Sequence, residues 1–313
     1  MSSPIADLSY RNYDGPIEAP SFRWWVIAKM GMRLGIKKRA FWFFASLSSY
    51  FYLILATAFY FIDLISQSGA PKLLAGITWK DQFLNCLNIA QLPLFILAML
   101  IGTSSIASDN RANALLVYLS KPVSKLDYLI GKWVSIFLPL YAATAIPAIV
   151  FYGYCLLSFR SYGFASQDPW LFAKLMLILP TTAAIHASLS VGVSSLFDQP
   201  RLAGAAYAAI YFISNMFTQF VKVILITNEA RGGALGESSP LRTLFYGSVD
   251  GLQSGLSKAV FDSAGSPAFP GSNSGPQIPA PNGYLMFAII AAICAISVAT
   301  AYSRIRAVEV VKG

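Results

Sequence analysis

The sequence predicts an all-α integral membrane protein: six transmembrane helices, an N-terminal interfacial helix, and a helical outer loop between the fifth and sixth spans. Three observations carry this prediction. Apolar residues make up 56% of the 313 residues and charged ones only 12%, about half the charged share of a soluble domain. Mean hydropathy is +0.58. Six apolar runs are each long enough to cross a bilayer core about 30 Å thick, which takes roughly 20 helical residues. Too little polar surface remains to wet a globule of this size, which excludes a soluble enzyme, a disulfide scaffold and a disordered chain.

Residues 1–20 are polar, carry Pro4, Pro16 and Pro20, and read as an N-terminal tail. Residues 21–40 change character. Lys29, Arg33 and Lys37 recur at i, i+4 and i+8 to give one basic stripe, with Trp24, Trp25, Ile27, Met30 and Leu34 over much of the remaining surface. That pattern predicts an elbow-like interfacial helix, tryptophans toward the acyl chains and cations toward lipid phosphate. Gly31 and Gly35 form a GxxxG, a weak dimerisation signal in so basic a setting.

Residues 41–313 form the six-helix transmembrane domain, with spans near 41–65, 84–106, 134–158, 171–196, 203–226 and 284–303. Pro93, Pro139, Pro147 and Pro180 fall inside them, tolerable where neighbours re-satisfy the freed carbonyls. The first span follows a basic region too long for a cleaved signal, so it reads as a retained helix. Of 23 Lys and Arg, fifteen fall in the segments on the N-terminal side of the membrane and six on the other side; Lys174 and Lys222 lie near outer span ends. Basic residues collect on the cytoplasmic side, so both termini are expected in the cytosol and the protein in the cell (inner or plasma) membrane. The +9 net charge fits anionic lipid headgroups rather than nucleic acid. Cys86, Cys155 and Cys294 stand in apolar stretches with no metal spacing, so they read as small buried hydrophobes.

The cytoplasmic loop 107–132 is the most informative stretch. Ala112, Leu115, Leu116 and Leu119 give one apolar face of a short helix. Pro122 ends it, and Ser124 with Asp127 three residues on predicts a capped start for a second helix leading into the third span. An exposed apolar face on the cytosolic side calls for a docking partner. The outer loop 227–283 shows Leu241, Leu244, Phe245, Leu252, Leu256 and Ala259 on one helical face, with Asp250 among the residues opposite. Gly247, Gly251 and Gly255 border that face and suggest close packing against another helix. A Ser-, Pro-, Gly- and Asn-rich run from Ser263 to Gly283 leads back to the last span.

The span interiors contain no Asp or Glu, and ion-coupled carriers need buried carboxylates, so secondary transport is disfavoured. The sole histidine, His186, supplies no metalloprotease pair. With Ser190 one turn away it leaves an intramembrane hydrolase as a formal alternative. Thr182, His186 and Ser190 share a stripe of the fourth span, and Asn215 and Gln219 lie one turn apart on the fifth. Each group reads either as interhelical bonding or as a substrate path or dimer seam. No phosphate-cradling loop occurs: Gly131-Lys132 lacks the flanking residues such a loop needs. Any nucleotide that drives this chain is hydrolysed elsewhere.

Ile106-Ala107-Ser108-Asp109, then Leu115-Leu116-Val117-Tyr118-Leu119-Ser120-Lys121-Pro122-Val123-Ser124-Lys125, then Tyr128-Leu129-Ile130-Gly131-Lys132 resembles the cytoplasmic signature of ABC-2 type (type-2) ABC exporter permeases. Asp109 stands where that signature usually has Glu, and Asn113-Ala114 replaces its Gly-Thr. The layout of spans, interfacial helix and outer helical loop is also similar. The resemblance implies a permease half that pairs with itself or a similar chain and with two cytosolic ABC ATPase subunits, which hold the ATP and Mg. Its coupling residues would be Asp109, Leu115, Leu116, Leu119, Lys121, Pro122, Lys125, Gly131 and Lys132. The leucines would anchor in a groove on the ATPase, with Lys121 and Lys125 steering toward an acidic rim. No cofactor is expected in this chain. The implied activity is ATP-driven outward movement of a substrate. The alternative keeps the architecture but passes the motion to an extracytoplasmic partner through the outer loop.

Overall fold

The structure, a computed structural model, describes residues 22–67, 73–114, 123–230, 243–266 and 278–305, and among these it contains helices and turns but no strand. The principal helices are α1 (Arg23–Ile36), α2 (Arg39–Gln67), α3 (Trp79–Gly102), α4 (Ala107–Arg111), α5 (Lys125–Ser158), α6 (Leu171–Ser194), α7 (Pro200–Ala230), α8 (Val249–Phe261) and α9 (Gly283–Arg304). Six of them, α2, α3, α5, α6, α7 and α9, are long and apolar enough to cross a membrane. The end of the bundle that carries α1 and α4 is called the basic end below, and the opposite one the loop end.

Two spans start earlier than their apolar runs. The third-span helix begins at Lys125, where Ser124 accepts from the Asp127 amide at 3.0 Å and Asp127 returns a bond to the Ser124 amide at 3.1 Å. That reciprocal cap nucleates one continuous helix of 34 residues, so the second loop helix and the third span are a single rod. The second-span helix begins at Trp79 rather than near residue 84. This brings Asp81 into its first turn, where a carboxylate meets unpaired backbone N–H groups. Asp81 is buried and accepts a hydrogen bond from Ser263.

In lipid, apolar side chains gain nothing by exchanging acyl chains for protein, so close packing and polar bonds hold the spans together. Small residues provide the packing. A Cβ on Gly192 of α6 would lie 2.9 Å from the Ser297 carbonyl of α9, and one on Gly102 of α3 would overlap Ser190 of α6. Pro147 of α5 has no N–H to give the Ala143 carbonyl one turn back. The Ser48 hydroxyl of α2 reaches that carbonyl at 3.3 Å. At the loop end Trp79 stacks on Phe159 with centroids 5.3 Å apart, while Phe59 and Phe164 meet it edge-on.

The helix α8 lies inside the bundle. Its C-terminal end is at the loop end: Lys80 donates to the Asp262 carbonyl and Ser263 to Asp81, both partners in the first turn of α3. Near its N-terminal end Asp250 bonds to Tyr211 and Asn215 of α7, and Gln253 to Thr182 of α6. Tyr211 and Thr182 each stand eleven residues into their helices, which start at opposite ends of the bundle. At 1.5 Å per residue that is roughly 17 Å from either end. α8 therefore descends to mid-depth.

The glycine expectation for this loop needs correction. α8 begins at Val249, capped by Ser248; residues 243–244 are helical, 245–248 form a turn that breaks the helix, and Leu241 lies outside the described residues. A Cβ on Gly251 would meet the Tyr246 backbone, and one on Gly255 the Tyr246 ring and Pro281. The glycines thus receive the chain's own turn and return segment, not another span. A Gly next to a strong N-cap residue stops a helix that apolar periodicity alone would extend.

Candidate functional site

Two constellations collect the polar side chains that the fold brings together. The first, at the basic end, is built from both flanks of the loop 107–132. The turn after α3 is held by Ser194 of α6, which accepts from the amides of Ile106 and Ala107 at 3.0 Å each and donates to the Thr103 carbonyl at 2.7 Å. α4 starts there and presents Asp109 to α5. Tyr128 donates to Asp109 at 2.7 Å, and Lys132 pairs with the same carboxylate oxygen at 2.7 Å while also donating to the Ser105 carbonyl at 2.8 Å. With side chains only 12% and 16% exposed, Lys132 and Asp109 are a largely desolvated pair, braced by a phenol and a carbonyl as such pairs require. α4 stops because Asn113 takes a left-handed conformation (φ 49°), which Asn tolerates better than most residues. The loop's two flanks are thereby clamped together.

α1 is docked on the same rod. Gly131 of α5 is buried, and a Cβ there would lie 2.7 Å from the Trp24 carbonyl; Gly31 of α1 faces Ser135 as closely, and Gly35 packs on Ile101. Gly31 and Gly35 therefore serve contact within the chain. Lys29, Arg33 and Lys37 are exposed along α1, as is Trp25, while Trp24 is half-buried. Lys38 follows α1 and donates to the Leu100 carbonyl at 2.6 Å, and its burial lowers the ammonium pKa. A cavity of about 200 Å³ remains between α1, α3 and α5, lined by Met30, Leu34, Lys38, Ser105, Asp109 and Lys132. Lys125 opens α5 and is half-buried. Leu115, Leu116, Leu119, Lys121 and Pro122 lie outside the described residues.

The second constellation lies at mid-depth. Asp250 accepts from Tyr211 at 2.6 Å and from Asn215 at 3.2 Å. Tyr207, one turn from Tyr211, shares a hydrogen bond of 2.8 Å with His186 Nδ1. Phe95 of α3 stacks on Tyr211 at 3.8 Å and on Tyr207 at 5.2 Å. Of the polar stripe on the fourth span, Thr182 and His186 join this cluster. Ser190 does not: it donates to the Ala187 carbonyl of its own helix at 3.1 Å and packs on Gly102. On the fifth span Asn215 joins the cluster, whereas Gln219 is exposed. His186 thus has Tyr207, not Ser190, on its Nδ1.

Sequence reasoning missed Tyr128 and Asp250. Tyr128 stood within the loop signature, one turn before Lys132. Asp250 stood on the polar face of the loop helix, and nothing local to it records that the helix enters the bundle. The statement that span interiors lack carboxylates holds for the spans themselves, yet α8 delivers one to mid-depth.

The sequence model of one family, described as ABC-2 family transporter protein, matches residues 25–307. The chain belongs to that family. A search among curated proteins gave no match. Membership makes the chain a permease subunit of an ABC transporter and a multi-pass membrane protein that associates with ABC ATPase subunits. Members of the ABC-2 family are membrane subunits, generally not catalytic themselves. In this ABC-2 chain the match takes in both constellations, from the docked helix α1 to the last span.

Proposed function

We propose that the chain is the permease half of an ATP-driven exporter, in which ATP and Mg are bound and hydrolysed on two separate cytosolic ATPase subunits and closure of those subunits drives substrate outward. The observation that carries this reading is the clamp of Asp109 by Tyr128 and Lys132. It joins the two flanks of the 107–132 loop, and α1 rests on the same rod through Gly131. A partner that grips the loop would therefore move α1, α4 and α5 as one body. Residues 115–122 form the gripping segment, with Leu115, Leu116 and Leu119 as anchors and Lys121 and Lys125 meeting an acidic rim. Both termini face the cytosol, α1 lies at the membrane surface with Lys29, Arg33 and Lys37 toward lipid phosphate, and a second permease chain completes the transporter. On this reading residues 1–20 are a tail, 21–40 the interfacial unit and 41–313 the transmembrane domain.

Leu116→Asp tests the reading. The variant should insert and fold normally but fail to co-purify with the ATPase subunits. Normal assembly of Leu116→Asp would overturn it.

A second reading has support of its own. α8 is tied to α7 at mid-depth through Asp250 and to α3 at the loop end through Lys80 and Asp81. A helix anchored at both ends would convert span motion into displacement of the outer loop 227–283, and an extracytoplasmic partner docked there would receive it. ATP-dependent movement of substrate by the permease and ATPases alone, in sealed vesicles, would eliminate this second reading.

A further inference from the structure

On the outer surface of the bundle, between α2 and α5, runs a groove of about 370 Å³ whose lining includes Phe41, Trp42, Ala142, Ile146, Pro147 and Val150. Its volume falls within the range of small-ligand pockets, and its walls are fixed. The Trp42 indole donates to the Ile36 carbonyl at 3.0 Å, which folds the ring across the junction of α1 and α2. On the opposite wall the two prolines of α5, Pro139 and Pro147, face the cavity. Beneath it Ser48 closes on the Ala143 carbonyl that Pro147 leaves open.

The groove's position limits its occupant. It reaches from the top of α2 to Ser49, ten residues below Arg39. At 1.5 Å per residue that is about 15 Å, half of a hydrocarbon core about 30 Å thick and so the depth of one leaflet. Its chemistry is apolar along that depth and cationic at the top. Arg39, Trp42 and Ser46 fall at i, i+3 and i+7 on one face of α2, so Arg39 stands one turn above the lining Trp42 and two above Ser46. Lys37 precedes it in the junction, and both side chains are exposed. The neighbouring Lys38 turns away to α3.

We propose that this groove binds an anionic phospholipid of the leaflet at the basic end, one acyl chain between α2 and α5 and the phosphate held by Arg39 and Lys37. A guanidinium matches two phosphate oxygens at once, and the acyl chain fills an apolar slot in which water would find few hydrogen-bond partners. A second copy of the chain is a poorer occupant. A two-fold contact through the groove would bring its own Arg39 and Lys37 against their symmetry mates. The proposal does not depend on which way export runs or on how the ATPase is held.

The full chain in nanodiscs of phosphatidylcholine doped with phosphatidylglycerol, released and weighed by native mass spectrometry, tests the proposal. The parent should retain phosphatidylglycerol in preference to phosphatidylcholine. Lys37→Gln with Arg39→Gln should lower that preference about thirtyfold, and Arg39→Lys with Lys37 intact should restore most of it. Ala142→Phe, which fills the groove from the α5 side, should lower retention of the phosphatidylglycerol while leaving the charges in place. No preference in the parent, or retention in the charge-neutral or the groove-filled variant equal to the parent's, would overturn the proposal. So would efficient oxidative cross-linking of two Ser46→Cys chains, because the groove would then be a contact between copies.

Discussion

The Tyr211 phenol donates to the Asp250 carboxylate at 2.6 Å, and Asn215 adds a bond to the same oxygen at 3.2 Å. The other oxygen, Oδ1, is buried with no hydrogen-bond partner among the described residues. A half-satisfied carboxylate at mid-depth is expensive, so the two donors on α7 decide where the N-terminal end of α8 sits.

Tyr211→Phe removes the shorter bond while keeping the ring that stacks on Phe95. A hydrogen bond to a charged group contributes about 1.5–3 kcal/mol, so amides of 249–261 should exchange roughly ten- to a hundredfold faster in hydrogen-exchange mass spectrometry. Asp250→Asn should fall between parent and Tyr211→Phe, since an amide still accepts from the phenol. Unchanged exchange in Tyr211→Phe would show that α8 is held by its apolar contacts alone.

Gly131→Leu should detach α1 from α5, because any side chain there meets the Trp24 carbonyl and Ile27. Even Gly131→Ala should cost about 1–3 kcal/mol through overpacking. The check is limited proteolysis of the purified protein, in which cleavage within 23–36 should become fast only in the Leu variant. Gly76, beside whose Cβ position nothing lies within 4 Å, supplies the control: Gly76→Ala should leave the digestion pattern as it is.

Breaking the clamp should be felt on both flanks of the loop. Lys132→Met leaves Asp109 with the Tyr128 bond but without its counter-charge, and a loss of about 2 kcal/mol follows for a pair this desolvated. Asp109→Asn keeps an acceptor for Tyr128 and loses only the ion pair. Thermal unfolding in detergent should therefore rank parent, Asp109→Asn, then Lys132→Met. ATP turnover by the assembled transporter should become uncoupled from the permease in the same order.

Ser124→Ala removes the side-chain oxygen that caps α5 and should cost about 1 kcal/mol, read as a lowered midpoint of thermal unfolding. Asp127→Ala should cost a similar amount, and the double variant less than the sum, because the two side chains answer each other across one turn.

How much of this was legible beforehand depends on whether a property is local. The six spans follow from unbroken apolar length, and the cap at Ser124 from residues three apart. The start of α3 at Trp79 was obscured because Asp81 looks like a loop residue until a helix N-terminus and Ser263 supply its partners. Gly31, Gly35 and Gly131 were visible as small residues, but smallness names no partner, and the structure pairs them within the chain. Leu252 and Leu256 of the loop's apolar stripe are buried, but so are Tyr246 and Ser257 from the face read as opposite, because periodicity reports neither how deep a helix goes nor whether it is covered on both sides. Asp250 shows the cost of that blindness. Tyr128 was missed for another reason, since a tyrosine on an amphipathic helix ordinarily needs no more explanation than its ring.

The shared grip of Lys132 and Tyr128 on Asp109 also bears on timing. A hairpin with free legs would first yield when pushed at its tip, spending the stroke on its own slack. On the coupling proposed above, legs latched at the root would have no such backlash, so a push received by residues 115–122 would reach α5 in the same stroke.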